Sequence, residues 1–153
     1  MAKKSAGLLL YRFINASPEV LLVHPGGPFW VNKDIGAWSV PKGEFDQHEE
    51  PLTAAIREVK EELGLEVSGD FIELSPVKQK SGKIIYTWAV EQDFNPSNII
   101  SNTFELEWPP KSGKTIVIPE VDKASWFNIE EAKRKVIPAQ VPIIDNLLEN
   151  FNK

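Results

Sequence analysis

The chain predicts an α/β fold, a mixed β-sheet held between helical layers, on three observations. Strand-like runs recur from the N-terminus to residue 127, one strongly amphipathic helix interrupts them near residues 51–63, and two helical segments close the chain. At 153 residues, 42% hydrophobic and 25% charged, the composition is that of one ordinary globular domain over residues 1–153, large enough to bury a real core. Neither an internal repeat nor a low-complexity tract divides it.

Taken in order, residues 5–14 are an apolar run read as a buried strand, and 20–24 its return after a turn at Asn15-Ala16-Ser17-Pro18. Pro25-Gly26-Gly27-Pro28-Phe29-Trp30 is a loop by composition, its aromatics serving either as core lids or as a platform for a ligand ring. Residues 36–40 read as a short strand, and Pro41-Lys42-Gly43-Glu44 as the loop that leads into the central helix. Beyond that helix, 67–79 and 84–93 are strand-like, joined by a hairpin turn at Lys80-Ser81-Gly82-Lys83. Residues 94–102 are loop-like. Residues 104–108 alternate as a strand and stop at Pro109-Pro110, Lys111-Ser112-Gly113-Lys114 is an exposed basic turn, and 115–118 is a β-branched run. A last strand over 124–127 precedes helices over 129–136 and 138–150, the second with Val141, Ile144, Leu147 and Leu148 on one face.

Composition excludes several classes of function. A net charge of −5 argues against a general nucleic-acid polymer or an acidic membrane as partner. The absence of cysteine removes a disulfide framework, a zinc–thiolate site and a thiol nucleophile. The Met1-Ala2-Lys3-Lys4 start leads into an apolar run too short for a secretory segment, and no stretch approaches a membrane span. A soluble cytoplasmic protein is expected, of unknown oligomeric state.

The chemistry concentrates in residues 43–65. Pro51 suits the first turn of a helix, where its missing N–H costs nothing, and Gly64 suits the left-handed position that ends one. On a helical wheel Leu52, Ile56, Val59 and Leu63 share one side, with Glu58, Glu61 and Glu62 together on nearly the opposite side. Like charges at this spacing destabilise a helix by about a few tenths of a kcal/mol per pair, so something should compensate. An Arg57–Glu61 ion pair is one answer. A hard divalent cation such as Mg²⁺, shared between carboxylates and phosphate oxygens, is the other.

The complete spacing is Gly43, five residues, Glu49, seven residues, Arg57-Glu58, an aliphatic, any residue, Glu61-Glu62, any residue, Gly64, an aliphatic. It resembles the Nudix box with no departure at a defined position, and a chance match at seven fixed positions is on the order of 10⁻⁸ per start site. The resemblance implies a Nudix-type α/β/α sandwich with the box as a loop–helix–loop unit. It also implies hydrolysis, with Mg²⁺ or Mn²⁺, of a nucleoside diphosphate linked to another moiety, water attacking phosphorus. The branches in view are MutT-like pyrophosphohydrolases and dinucleoside polyphosphate hydrolases, then ADP-ribose or nucleotide-sugar pyrophosphatases. A non-catalytic nucleotide sensor is the rival class, but such members have eroded box glutamates, and here none is eroded. The isoprenoid isomerase branch expects a cysteine that this chain lacks. Pro76 and Tyr86 do not fall at the distances that mark substrate branches.

Carried over position by position, the resemblance implies that Glu61, Glu62 and the backbone carbonyl of Lys42 ligate metal, and that Glu58 ligates it or acts as general base. Gly43 would let the backbone approach metal and phosphates. Arg57 would orient the glutamates, and Glu49 would pair with Arg57, lie in the outer shell of the metal, or simply favour the helix dipole. Members often add an acidic residue from outside the box. Glu120, just before the last strand, is our choice, with Glu105 and Glu107 as competitors. For substrate, Lys42 and Trp30 are candidate contacts, with Phe104 and Trp108 as further stacking candidates, and Gln140 is a candidate reader of a base edge. His24 and His48 are expected to be structural or exposed.

Overall fold

The computed structural model describes residues 3–152; Met1, Ala2 and Lys153, at the ends of the expected domain, lie outside the described residues. Its centre is β1 (Lys4–Ile14), buried from Ser5 to Tyr11. Alternate residues of β1 feed two separate cores, Ala6, Leu8 and Leu10 on one face and Leu9 and Tyr11 on the other. A strand apolar on both sides has to be covered on both sides. Helix α1 (Pro51–Leu63) covers the first face with Ala54, Ala55, Val59 and Leu63. Helices α2 (Ile129–Lys135) and α3 (Val141–Phe151) cover the second with Ala132, Ile143, Ile144 and Leu147. The result is an α/β/α sandwich.

The sheet is mixed, in the order β4 (Ile72–Glu73), β6 (Ile84–Glu91), β1, β2 (Ser17–Pro25), β9 (Val121–Asn128), with β5 (Val77–Lys78) also on β6. β1 runs parallel to β6 and antiparallel to β2. A three-residue strand, β3 (Lys42–Glu44), pairs antiparallel with the start of β1 at Ser5–Gly7, while β2 pairs with its end at Tyr11–Ile14. β7 (Thr103–Glu107) and β8 (Thr115–Pro119) form a separate hairpin, and its exit delivers Glu120 to the start of β9. Among the described residues no helix is long and apolar enough to cross a membrane.

The structure departs from the expected elements in four places. Residues 67–79 carry only the short β4 and β5, because Pro76 has no N–H to give and the Ser75 N–H donates to Asn146 Oδ1 at 2.8 Å. Residues 36–40 reduce to single bridges, Trp38 with Val136 and Ser39 with Val23. Conversely, Lys42–Glu44 reads as loop by its Pro and Gly content yet forms β3, since pairing with a strand distant in sequence outweighs composition. The last helix begins with a 3₁₀ turn, Pro138–Gln140, before α3.

Candidate active site

Helix α1 starts at Pro51 and stops at Gly64, whose φ of 73° is left-handed and whose N–H returns to Lys60 O at 2.8 Å. Its wheel predicts a core face opposite a carboxylate face, and the structure modifies this. Glu58 and Glu62 are both only 8% exposed, because β3 packs across that flank. Gly43 sits directly against Glu58, and a Cβ built there would lie 1.9 Å from the carboxyl carbon. What Gly43 approaches in this structure is the Glu58 carboxylate, which occupies the space a side chain would take.

β3 presents its backbone to the same cluster. Leu8 N–H reaches Pro41 O and Phe45 N–H reaches Lys4 O, so the Gly7–Lys42 pair between them is not mutually hydrogen-bonded. The N–H and C=O of Lys42 therefore turn away from β1, and the N–H donates to Glu62 Oε2 at 3.1 Å. Arg57 completes the frame. Its Nε and Nη2 donate to the two oxygens of Glu49 at 2.8 and 3.0 Å, and its Nη1 donates to Glu58 at 2.8 Å and Glu61 at 3.2 Å. One guanidinium thus holds three carboxylates at once.

Oxygens of Glu58, Glu61 and Glu120 all lie within 4.8 Å of one another, two from the helix and one from the β8–β9 junction. Glu62 lies outside that set, held on the Lys42 amide. Burial, then the neighbouring Glu61, raises the pKa of Glu58 and of Glu120 above the ordinary carboxylate range. Glu62 is raised well above it, by burial and then by Glu58. Glu49 is lowered by its hydrogen bonds to Arg57. Negative charge is thus crowded into one partly dry place, with the Arg57 guanidinium beside it.

The NUDIX domain family model matches residues 3–147. The chain belongs to the Nudix hydrolase family. It is 32% identical to the mouse (Mus musculus) bis(5'-nucleosyl)-tetraphosphatase [asymmetrical] over 62% of this chain and 69% of that enzyme. It is 30% identical to the mouse diphosphoinositol polyphosphate phosphohydrolase 3-alpha over 97% of this chain and 77% of that one. Its fold matches a crystal structure of a C. elegans Ap4A hydrolase binary complex with a TM-score of 0.69, 22% identity and coverage of 99% and 98% of the two chains.

In this Nudix hydrolase a recess of about 220 Å³ opens beside the carboxylates, walled by Trp30, Lys42, Glu62, Glu120, Val121 and Ile137. Trp30 and Lys42 thus line the same recess as Glu62 and Glu120. A larger cleft of about 430 Å³ lies against Arg12, Asp93 and Trp126, but Arg12 is already engaged by Glu19 and Asp93, so the smaller recess is the better candidate. Gln140 is a correction. It is wholly buried, its Oε1 accepts from Val40 N–H at 3.0 Å and its Nε2 donates to Ser39 Oγ at 2.9 Å, which leaves it no face to offer a base. Glu107 is likewise occupied, accepting from Lys111 and Gly113 N–H to close its own turn, and Glu105 is exposed on the hairpin. Neither joins Glu58 and Glu61. Phe104 is 44% exposed on that hairpin, and Trp108 packs edge-on against Phe29 at 5.0 Å. His48 is exposed, whereas His24 is fully buried and bonded at both nitrogens, an arrangement invisible from one histidine in an apolar run.

Proposed function

We propose that this Nudix hydrolase cleaves a phosphoanhydride bond in a nucleoside diphosphate linked to another moiety, water attacking phosphorus, and that its substrates are dinucleoside polyphosphates. The convergence of Glu58, Glu61 and Glu120 from two separate elements carries the reaction class. The mouse tetraphosphatase relative supports the substrate class. The donor set suits a hard divalent cation, since it consists of carboxylate oxygens with the Lys42 carbonyl turned away from β1 toward them. Glu58, Glu61, Glu120 and that carbonyl are the groups that would hold Mg²⁺ or Mn²⁺, with Glu62 beside them. The ion, when bound, supplies neutralisation of phosphate charge and a lowered pKa for water.

The protein's own groups do the rest. Glu58, held by Arg57 at the edge of the cluster, would ligate the ion or act as general base. Arg57 holds Glu58 and Glu61 in place through charge-assisted hydrogen bonds, and Glu49 holds Arg57. Trp30 and Lys42 take the substrate, the ring by stacking on a base and the lysine by contact with phosphate. No protein nucleophile is needed, since phosphoryl transfer depends mainly on positioning and charge neutralisation.

The test is a Mg²⁺-supplemented screen of dinucleoside polyphosphates, nucleoside triphosphates, ADP-ribose, nucleotide sugars and diphosphoinositol polyphosphates, with product analysis. A mononucleotide pair from a dinucleoside polyphosphate is expected, and inorganic pyrophosphate from a triphosphate would move the assignment to the MutT-like branch. Glu61→Gln should lower kcat by about 100-fold or more on the preferred substrate. Full activity in that variant would reduce the carboxylate cluster to a structural feature.

A further inference from the structure

The loop that carries Trp30 is tied down at one point by an unusual residue. His24, on β2, is 0% exposed. Its Nε2 lies 2.6 Å from the carbonyl oxygen of Lys33, and its Nδ1 lies 2.9 Å from Asp122 Oδ1. A carbonyl oxygen only accepts, so Nε2 is the donor there. The Nδ1–Asp122 contact at 2.9 Å is then a second polar tie, from ring to carboxyl. One imidazole joins Lys33 and Asp122, which lie 89 positions apart in the sequence.

Both segments belong to the recess. Lys33 closes a turn on Trp30, donating its N–H to Trp30 O at 2.9 Å, and Trp30 forms part of the wall. Asp122 stands two residues after Glu120, whose carbonyl oxygen accepts from Gly26 N–H at the start of the same loop. Trp38 packs edge-on against the imidazole at 5.2 Å and fixes its plane. The rest of the loop is held by Phe29 edge-on against Trp108 and, at its far end, by Asp34, which accepts from Trp38 Nε1 and pairs with Lys135.

We propose that His24 is a positioning residue for substrate binding, which staples the Trp30 loop to the start of β9, next to Glu120, and so sets how tightly the recess grips its ligand. This rests on the reading of the recess as the substrate site. Unlike Arg57, His24 touches none of the converging carboxylates, so its loss acts on the wall of the site and spares the reacting end.

The experiment compares wild type, His24→Phe, Asp122→Ala and Asp122→Asn. Phenylalanine fills the space and removes both bonds, alanine removes one, and asparagine restores one, because its amide N–H donates to an Nδ1 that carries no proton. For His24→Phe and Asp122→Ala, KM should rise by about tenfold with kcat changed by less than about threefold, and Asp122→Asn should return KM toward wild type. Amide hydrogen exchange should accelerate across residues 26–36 in the first two variants, with α1 and β1 unaltered. If His24→Phe fails to fold, Asp122→Ala against Asp122→Asn decides alone. Equal fall of kcat in every variant, or unchanged KM with unchanged loop exchange, would overturn the proposal. A wild-type protein inert toward every nucleotide would instead remove the hydrolase reading, and the exchange measurement would still judge the staple.

Discussion

Gly43 has no need of a left-handed backbone; it needs to have no side chain. Any Cβ there meets the carboxyl of Glu58 at 1.9 to 2.2 Å, and that carboxyl is the movable partner because it ends a flexible side chain. Gly43→Ala should therefore fold with little change in melting temperature while pushing Glu58 off Arg57, lowering kcat/KM by about 10- to 100-fold. Steady-state kinetics beside a thermal melt checks this, and a variant of full activity would mean that Glu58 does not work from the position it holds. Arg57 shows the same economy at the level of one side chain. Four hydrogen bonds from its guanidinium fix Glu49, Glu58 and Glu61 together, and its own pKa is raised above the ordinary guanidinium value chiefly by the hydrogen bonds with Glu49.

Among the elements, β3 and the turn before α3 do more than their length suggests. The three residues of β3 deliver Gly43 to Glu58 and the Lys42 amide to Glu62, joining the central strand to the acidic helix. The approach to β3, residues 39 and 40, is held in turn by Gln140, whose amide satisfies the Val40 N–H and the Ser39 hydroxyl inside the fold. Gln140→Leu leaves the buried Val40 N–H unpaired, and the expected cost is about 1–3 kcal/mol, read from urea denaturation. KM should be unchanged for the folded fraction. A selective rise in KM at full stability would return Gln140 to the substrate.

For the molecule as a whole, the raised carboxyls link folding to pH and to cations. Glu58, Glu62 and Glu120 hold protons more tightly folded than unfolded. Their contribution to stability is fully present below the ordinary carboxylate range and is lost as pH rises through their raised folded values. Glu49 and Asp34, lowered by hydrogen bonds to Arg57 and Lys135, act in the opposite sense and only at lower pH. The melting temperature of the protein in EDTA should therefore decline as pH rises from the ordinary carboxylate range toward neutrality. Mg²⁺ should restore it at pH 7 in proportion to the logarithm of its concentration once the site is saturated. Glu62→Gln should raise the melting temperature in EDTA at pH 7 and flatten its pH dependence. Scanning calorimetry over that range, with and without Mg²⁺, measures all three, and melts independent of both pH and Mg²⁺ would remove the buried acids from the energetics.

The residues alone determined the strand–helix alternation, the bounds of α1, and the set Arg57, Glu58, Glu61 and Glu62, because all of these depend on spacing within a few turns of one helix, where 3.6 residues per turn converts sequence distance into space. Pro51 and Gly64 mark both ends locally. Folding decided the rest: that β3 packs over the acidic flank and buries Glu58 and Glu62, that Glu120 and not Glu105 or Glu107 meets the helix carboxylates, that Gln140 faces inward, and that His24 bridges Lys33 and Asp122. Each of those contacts joins residues distant along the chain, and the direction in which such a side chain points is set by the packing of whole layers, which no local spacing encodes.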